Sequence, residues 1–547
     1  MVQSCRSKTA KEYFLIGLWR KWMSISNRFR LIIAVSAAFV LAGGLIAYCN
    51  AYAAPKVWVV SDMDRVGLTE APKDARDIEL FAAKGEYAAF QVVVHGPENG
   101  LANTNLEVSD LKGPDGGVIT GSNLTLYREH YIEIKHPTWD RGTVKSLGAG
   151  WYADALIPFV DPATGKVPVN ARFKAADASV KAGENQPYWI DVFVPRDAKP
   201  GKYEGSYTLT SKQGKATGKI TLNVWNFALP EKPSAGSMFV VWTDNSLEAK
   251  AEITRHKMMP VRPQPDQVEY LAKNCGLSII ETGFWSGADI GNKTMEPAPP
   301  VEQIKAKVSS YPSDLRKINY TADEIANAPK LNETFRQWGK NLHEAGVEQL
   351  LVGPPIPELF DDGTGKPSID IYVIMPVHYD MKPEYVKQAM DRGIEIWSYT
   401  TANQDDYAPK WQVDFAPINY RAFQGFINQS MGFEGYLYWA VDRWLTKDPW
   451  TDLDDKVDGG YYPANSTLAF PGKDVGIKGV VPSMRMKWIR KGFDDYEYVE
   501  MLKKTGQKDL ALKLSQSVSK DWREWSRDPA QYEKVRREIG QILSKGK

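Results

Sequence analysis

Near residue 230 the hydrophobic period of the chain changes, and that change limits the possible fold more than any other feature. Before it, from about Lys56 to Phe227, short alternating segments such as YAAFQVVVHG, YWIDVFVP and GKYEGSYTLTS are separated by the turn signals GPDGG, KAGENQP and PRDAKPGK. Strands with one dry and one wet face, cut by Gly and Pro, predict a β-sandwich. Beyond the Pro- and Ser-rich NFALPEKPSAGSM, short apolar runs alternate with helical stretches: MFVVW, MPVR, LSIIETG, KINYT, EQLLVG, SIDIYVIM, GIEIWSYT and GYLYWAV. Eight β units in series predict a (β/α)8 TIM-type barrel, with MPVR the weakest strand and no helix evident after EQLLVG. From about Pro482 the pattern is helical and charged, and MRMKWIRKGFDDYEYVEMLKK is its strongest amphipathic stretch, expected to pack on the barrel. The expected divisions are residues 56–230 for the sandwich, 236–482 for the barrel and 483–547 for a helical extension.

Residues 1–53 are set apart. After Met23, a possible true start, SISNRFR precedes the apolar LIIAVSAAFVLAGGLIAY and the small-x-small Ala51-Tyr52-Ala53. That order is a secretory signal peptide, although the apolar run is also long enough for a membrane anchor. Cleaved signal and retained anchor both remain open, and both predict an exported protein that meets a membrane only through this segment. Of the three cysteines, Cys5, Cys49 and Cys275, cleavage leaves Cys275 alone, so no intramolecular disulfide forms and Cys275 reads as a small apolar residue.

With 547 residues, 43% apolar and 25% charged, the chain is long enough for several cores. A net charge of only +1 provides no basic field for nucleic acid. The six histidines are scattered and form no metal-binding spacing, and no phosphate-binding loop or nucleophile elbow is present. No cofactor or metal is implied. The 18 Trp and 26 Tyr are a rich supply of flat apolar faces of the kind that suit sugar rings.

Chemistry is expected where the barrel strands end. Asp323 and Glu324 follow the fourth strand, Glu281 and Trp285 the third, and His378, Tyr379 and Asp380 the sixth. Trp397 and Tyr399 share one face of the seventh strand, which Asn403 and Asp405 follow; Trp439, Asp442, Arg443 and Trp444 follow the eighth. Acids interleaved with Trp and Tyr describe a carbohydrate site. Trp444 and Trp450, among polar neighbours, are stacking candidates, whereas Asp494 and Asp495 in the tail helix read as salt-bridge partners. Thr321-Ala322-Asp323-Glu324 has two readings: a helix-capping box, or a catalytic carboxylate pair.

The ordered series YTADE, AGVEQLLV, SIDIYVIMPVHYD, GIEIWSYT, FEGYLYWAVDRW, LAFPG and SMRMKWIRKGFDDYEYVEML resembles glycoside hydrolase family 123 and the wider set sharing its domain of unknown function 4091. GEYAAFQVVV, WYADALIPF, VPRDAKPGKYEG and NFALPEKPS resemble that family's N-terminal domain. The resemblance implies a retaining, substrate-assisted exo-N-acetylhexosaminidase acting on glycans, similar to N-acetylgalactosaminidases. By resemblance, Glu324 is the general acid and then base, and Asp323 holds the 2-acetamido group. Such chemistry asks for a protonated Glu324 beside an ionised Asp323, and a dry aromatic pocket would raise Glu324. Ile325 stands where the family often has Pro. Two alternatives stay open: a classical two-carboxylate glycosidase pairing Glu324 with Glu281 or Asp442, and a non-catalytic carbohydrate-binding envelope protein.

Overall fold

The computed structural model describes residues 55–546 except 140, 141, 290, 325–327, 403 and 404. The readings of residues 1–53 and of Asn403 therefore lie outside the described residues. Among the described residues no helix is long and apolar enough to cross a membrane.

The first region is sheet-rich and two-layered. One sheet is antiparallel in the order β1 (Lys56–Ser61), β3 (Tyr87–His95), β10 (Asn185–Phe193), β7 (Leu124–Ile134) and β8 (Gly150–Pro158). The other runs β2 (Ile78–Lys84), β12 (Gly214–Ala228), β11 (Gly201–Ser211), β4 (Leu101–Val108) and β9 (Ala178–Val180), with the short β5 (Leu111–Lys112) and β6 (Val118–Ile119) beside β11. Phe90, Val92 and Ile190 from the first sheet meet Tyr207, Leu209, Ile220 and Leu222 from the second in one buried core. This is the packing expected of strands with one dry face.

The second region is a parallel sheet that nearly closes. Its strands run β13 (Gly236–Phe239), β19 (Gly435–Tyr438), β18 (Glu395–Tyr399), β17 (Ile371–Ile374), β16 (Glu348–Val352), β15 (Arg316–Asp323) and β14 (Ile279–Glu281). MPVR occupies the gap between β13 and β14, but it contributes only one bridge, Phe239 to Pro260, instead of a full strand. Every residue of β17 and β19 is buried, which explains their unbroken apolar sequences. Helices Leu247–Arg255, Pro265–Cys275, Val301–Val308, Asn332–Glu344 and Pro383–Asp391 separate successive strands. After β16 there is only the short turn Pro357–Leu359, as its sequence foretold.

The third region corrects one expectation. Helix Met484–Lys504 is not a surface helix with one apolar stripe: sixteen of its twenty-one residues are buried, on all sides. It runs between the sheet-rich region and the barrel, and its charges are paired on the way. Arg485 grips Asp154 of β8 through Nε at 2.9 Å and Nη2 at 2.7 Å, and its Nη1 donates to the Ala464 carbonyl at 3.0 Å. Lys487 and Arg490 both meet Asp191 of β10, at 2.8 and 3.0 Å. Lys491 bridges Asp62 and Glu533, while Asp495 takes Arg421 and Arg536. Asp494 pairs with Lys257, so both tail aspartates are salt-bridge partners as expected.

A buried ion pair is costly to break from one side, because the remaining charge has no water to turn to. Arg485→Met is therefore expected to destabilise residues 55–547 by roughly 3–5 kcal/mol, with Arg485→Met/Asp154→Leu recovering a large part. Urea unfolding of the three proteins checks this. A double variant no more stable than the single one would reject charge burial as the cause.

Candidate active site

The YTADE segment is the tip of β15, and its local geometry decides between its two readings. Pairing of β15 with β16 shifts register between Tyr320 and Ala322, so one residue, Thr321, is extra. Such a bulge re-aims the side chains beyond it. The Thr321 hydroxyl is buried and accepts from Asn319 Nδ2 at 2.9 Å; it caps no helix, since Ala322 and Asp323 after it continue strand β15. The capping-box reading is thereby excluded. Glu324 instead has φ of +46°, uncommon for a residue with a Cβ, and its N–H donates to the Val352 carbonyl at 2.9 Å. Conformations of that kind persist only where surrounding structure holds them, and they concentrate at functional sites.

The bulge brings Tyr320 and Asp323 to the same cavity of about 720 Å³ at the barrel mouth. Trp285 and Glu281 line it from the end of β14, Trp242 and Asn245 from beyond β13, and Trp439 and Arg443 from beyond β19. Trp285 is 42% exposed and stands edge-on to Tyr320 at 5.7 Å. Trp242, 51% exposed, donates its indole N–H to the Trp439 carbonyl at 2.8 Å. Tyr399 donates its hydroxyl to Glu324 Oε1 at 2.8 Å, which fixes that carboxylate across the mouth from β18. His378 is half-buried; burial lowers its pKa while the nearby Glu324 charge raises it.

In the free protein it is Asp323 whose charge is disfavoured, whereas the expected chemistry asks for an ionised Asp323. Asp323 points into the cavity and Glu324 towards solvent, so desolvation falls on Asp323. Burial and the Glu324 charge push Asp323 up to about 6, and a hydrogen bond from Tyr320 acts in the opposite direction. Burial likewise raises Tyr320 and Tyr399 well above the ordinary phenol value, so both remain neutral donors. Glu281 is buried and raised by desolvation, against the pull of Arg262 at 3.4 Å and the N–H of Gly283 at 2.8 Å.

Other candidates stand elsewhere. Trp397 shares the face of Tyr399 but lies two residues deeper, wholly buried, with its indole N–H on Glu395 at 2.9 Å. A Cβ at Gly236 or Gly435 would lie 2.2 or 2.5 Å from its ring, so those glycines make room for an indole that packs against the strands. Tyr379 turns its edge to Phe433 and Trp522, away from the cavity. Trp444 donates to the Ala469 carbonyl at 2.9 Å, and Trp450 is buried among His130, Phe173 and Phe470. Asp442 is buried and accepts from the N–H groups of Trp242, Thr243 and Asp244 at 2.7, 3.2 and 2.6 Å, which makes it a positioning residue for Trp242. Trp242 and Tyr320 were not singled out from the sequence. Their signal was an aromatic at the end of a barrel strand, concealed in MFVVW and KINYT by apolar neighbours. Among the described residues no group of His, Cys, Asp and Glu is arranged to hold a metal ion.

Comparison with known proteins places this architecture. The chain matches the glycoside hydrolase 123 N-terminal domain over residues 67–211 and the glycoside hydrolase 123 catalytic domain over residues 361–502, together more than half its length. Asp323 and Glu324 lie between the two matched segments. A family 123 glycoside hydrolase from Clostridium perfringens, described for glycolipid glycan hydrolysis, shares the fold with a TM-score of 0.60 at 13% identity, over 90% of this chain and 97% of that one. A β-glucuronidase from Parabacteroides merdae is far less similar, with a TM-score of 0.28 at 8% identity over 76% of this chain and 50% of that one. No curated protein matches in sequence. The chain belongs to the glycoside hydrolase 123 family, and it carries both the N-terminal and the catalytic domain of that family.

Proposed function

We propose that this glycoside hydrolase is a retaining, substrate-assisted exo-N-acetylhexosaminidase, exported from the cell and acting on N-acetylgalactosamine-type glycans. Its reading as a protein of three parts follows: a β-sandwich over 56–230, a (β/α)8-type barrel over 236–482 whose second strand is reduced to one bridge, and a helical extension over 483–547. The observation that carries the proposal is the adjacency of Asp323 and Glu324 on one lip of an aromatic cavity, each held by its own tyrosine. Two carboxylates that attack and protonate from opposite sides of a sugar must stand apart. Neighbours along one strand end suit the other arrangement, in which the substrate supplies the nucleophile.

In this mechanism the Asp323 carboxylate accepts the N–H of the 2-acetamido group. The acetamido carbonyl oxygen then attacks the anomeric carbon as the glycosidic bond breaks, and Glu324 delivers its proton to the leaving oxygen. Water, deprotonated by Glu324, reopens the cyclic intermediate with retention of configuration. In the empty site burial disfavours the Asp323 charge; an N–H donor from the substrate favours it. With Asp323 held as the carboxylate by that donor, the mechanism asks Glu324 to carry the proton that goes to the leaving oxygen. Trp285, Trp242 and Trp439 offer indole surface for the sugar. Glu281 serves the two-carboxylate alternative poorly, since Arg262 and two backbone N–H groups already engage it.

Release of aryl aglycone from matched galactose, N-acetylgalactosamine and N-acetylglucosamine glycosides by residues 55–547 tests the proposal. Turnover is expected only on acetamido sugars, with kcat reduced by about 10²–10⁴ in Glu324→Gln, as for loss of a general acid-base. Asp323→Asn is expected to suffer a loss of the same order. Turnover on galactose unaffected by Asp323→Asn would favour the two-carboxylate reading, and glycan binding without any turnover would favour the non-catalytic one.

A second prediction concerns pH. Because Asp323 sits at about 6 in the free protein and works as the carboxylate, kcat/KM is expected to fall as pH drops through about 6. Tyr320→Phe removes a donor that favours the charged form, so its acid limb should move to higher pH. A profile flat between pH 5 and 7 would remove Asp323 from this role.

A further inference from the structure

Arg443 stands on the wall of the same cavity, and among the described residues no carboxylate is paired with it. Its guanidinium lies over the Trp242 ring at 4.7 Å and the Trp439 ring at 5.4 Å. Among the described residues no carboxylate comes within 4.0 Å of it and no side-chain N–H of it is hydrogen-bonded; only its backbone N–H is used, on the Ser466 carbonyl at 3.0 Å. The cavity's other cation, Arg262, is engaged by Glu281.

The surroundings of Arg443 are fixed in advance. Asp442 clasps the backbone of Trp242 to Asp244, and the Trp242 indole is tied to the Trp439 carbonyl. Indole faces attract the planar cation but leave the N–H groups at its edge open to solvent, since Arg443 is exposed. Those N–H groups form a fork matched to a two-oxygen anion. In the strand order, β19 lies opposite β15 around the nearly closed sheet, so Arg443 faces Asp323 and Glu324 across the mouth. A neutral sugar held by Asp323 would need no such cation on the far wall.

We propose that Arg443 is a specificity-determining residue that reads an oxyanion carried by the glycan, either a sulfate ester on the N-acetylhexosamine or the carboxylate of a neighbouring acidic sugar. This rests on the proposed hydrolase reading for the sugar and extends it to the substrate's charge. The side of the cavity near Asp323 and Glu324 repels such a group, which orients it towards Arg443.

The test uses binding, read by quenching of tryptophan fluorescence in the Glu324→Gln protein, together with turnover by the parent. The ligands are N-acetylgalactosamine glycosides without charge, with a 6-sulfate, or joined to a uronic acid. Preference for an anionic over the neutral glycan is expected to be roughly ten- to hundred-fold, the range for hydrogen bonds to a charged group. That ratio should collapse towards one when Arg443→Gln is added. Arg443→Lys, which keeps the charge without the fork, should retain part of it. Preference for the sulfated or the uronic ligand alone identifies the source of the anion. Equal affinity for charged and neutral ligands, or a ratio that survives Arg443→Gln, overturns the proposal. If neutral acetamido glycosides are turned over without any anionic preference, the hydrolase reading stands and this inference falls. If Arg443-dependent anion binding appears without turnover of any glycoside, the reverse holds.

Discussion

The charges carried by helix Met484–Lys504 through the centre of the molecule are the constraint on which the rest of the structure depends. A helix buried on every side cannot be held by an apolar stripe alone when its sequence contains Arg485, Lys487, Arg490, Asp494 and Asp495. Each of these has to meet an opposite charge without water, and the partners come from three places: Asp154 and Asp191 in one sheet, Arg421 and Lys257 in the barrel, and Arg536 in the last helix. Buried pairs of this kind add little net stability over apolar contacts, but they tolerate no mismatch. They therefore specify how the sheet-rich region, the barrel and the C-terminal helices dock. The loop between β7 and β8 reinforces this docking: the Thr143 and Leu147 N–H groups donate to the Asp406 and Asp414 carbonyls at 2.7 Å each.

With the barrel held in this way, the site follows from small departures from regularity at its strand ends. A regular β15 would send Tyr320 and Asp323 to opposite faces; the extra residue at Thr321 sends both into the cavity. The next residue, Glu324, turns out at positive φ and is held by a backbone bond to β16 and a hydroxyl from β18. One carboxyl is thus desolvated and its neighbour exposed, although the two are adjacent in the chain. On the facing wall, Asp442 spends its oxygens on backbone N–H groups, which holds Trp242 against Arg443. The aspartate acts on the site through others, without entering it.

Much of this was legible in the residues. The change of hydrophobic period near residue 230 and the apolar runs that became β13 to β19 both follow from local pattern. Asp323, Glu324, Trp285, His378, Tyr399 and Trp439 were recognisable as strand-end residues, and they gather at the mouth. Trp397, Tyr379, Trp444 and Asp442 met the same criterion, yet packing or backbone bonds claim them. Sequence position gives the end of a strand but not the depth of a side chain below it. Helix Met484–Lys504 reads as amphipathic and is buried on every side for a related reason: the partners of its charges lie far away in sequence, as with Asp154 and Arg485.

What the sequence determined by itself was therefore the local order: which segments prefer strand or helix, where the turns fall, and that a pair of carboxylates follows one particular strand. The tertiary structure alone decided which of that pair loses water, which aromatics stay bare, and which strand-end cation has no carboxylate beside it among the described residues. The physical reason is range. Period and propensity act over a few residues, whereas desolvation and ion pairing depend on neighbours brought together across hundreds.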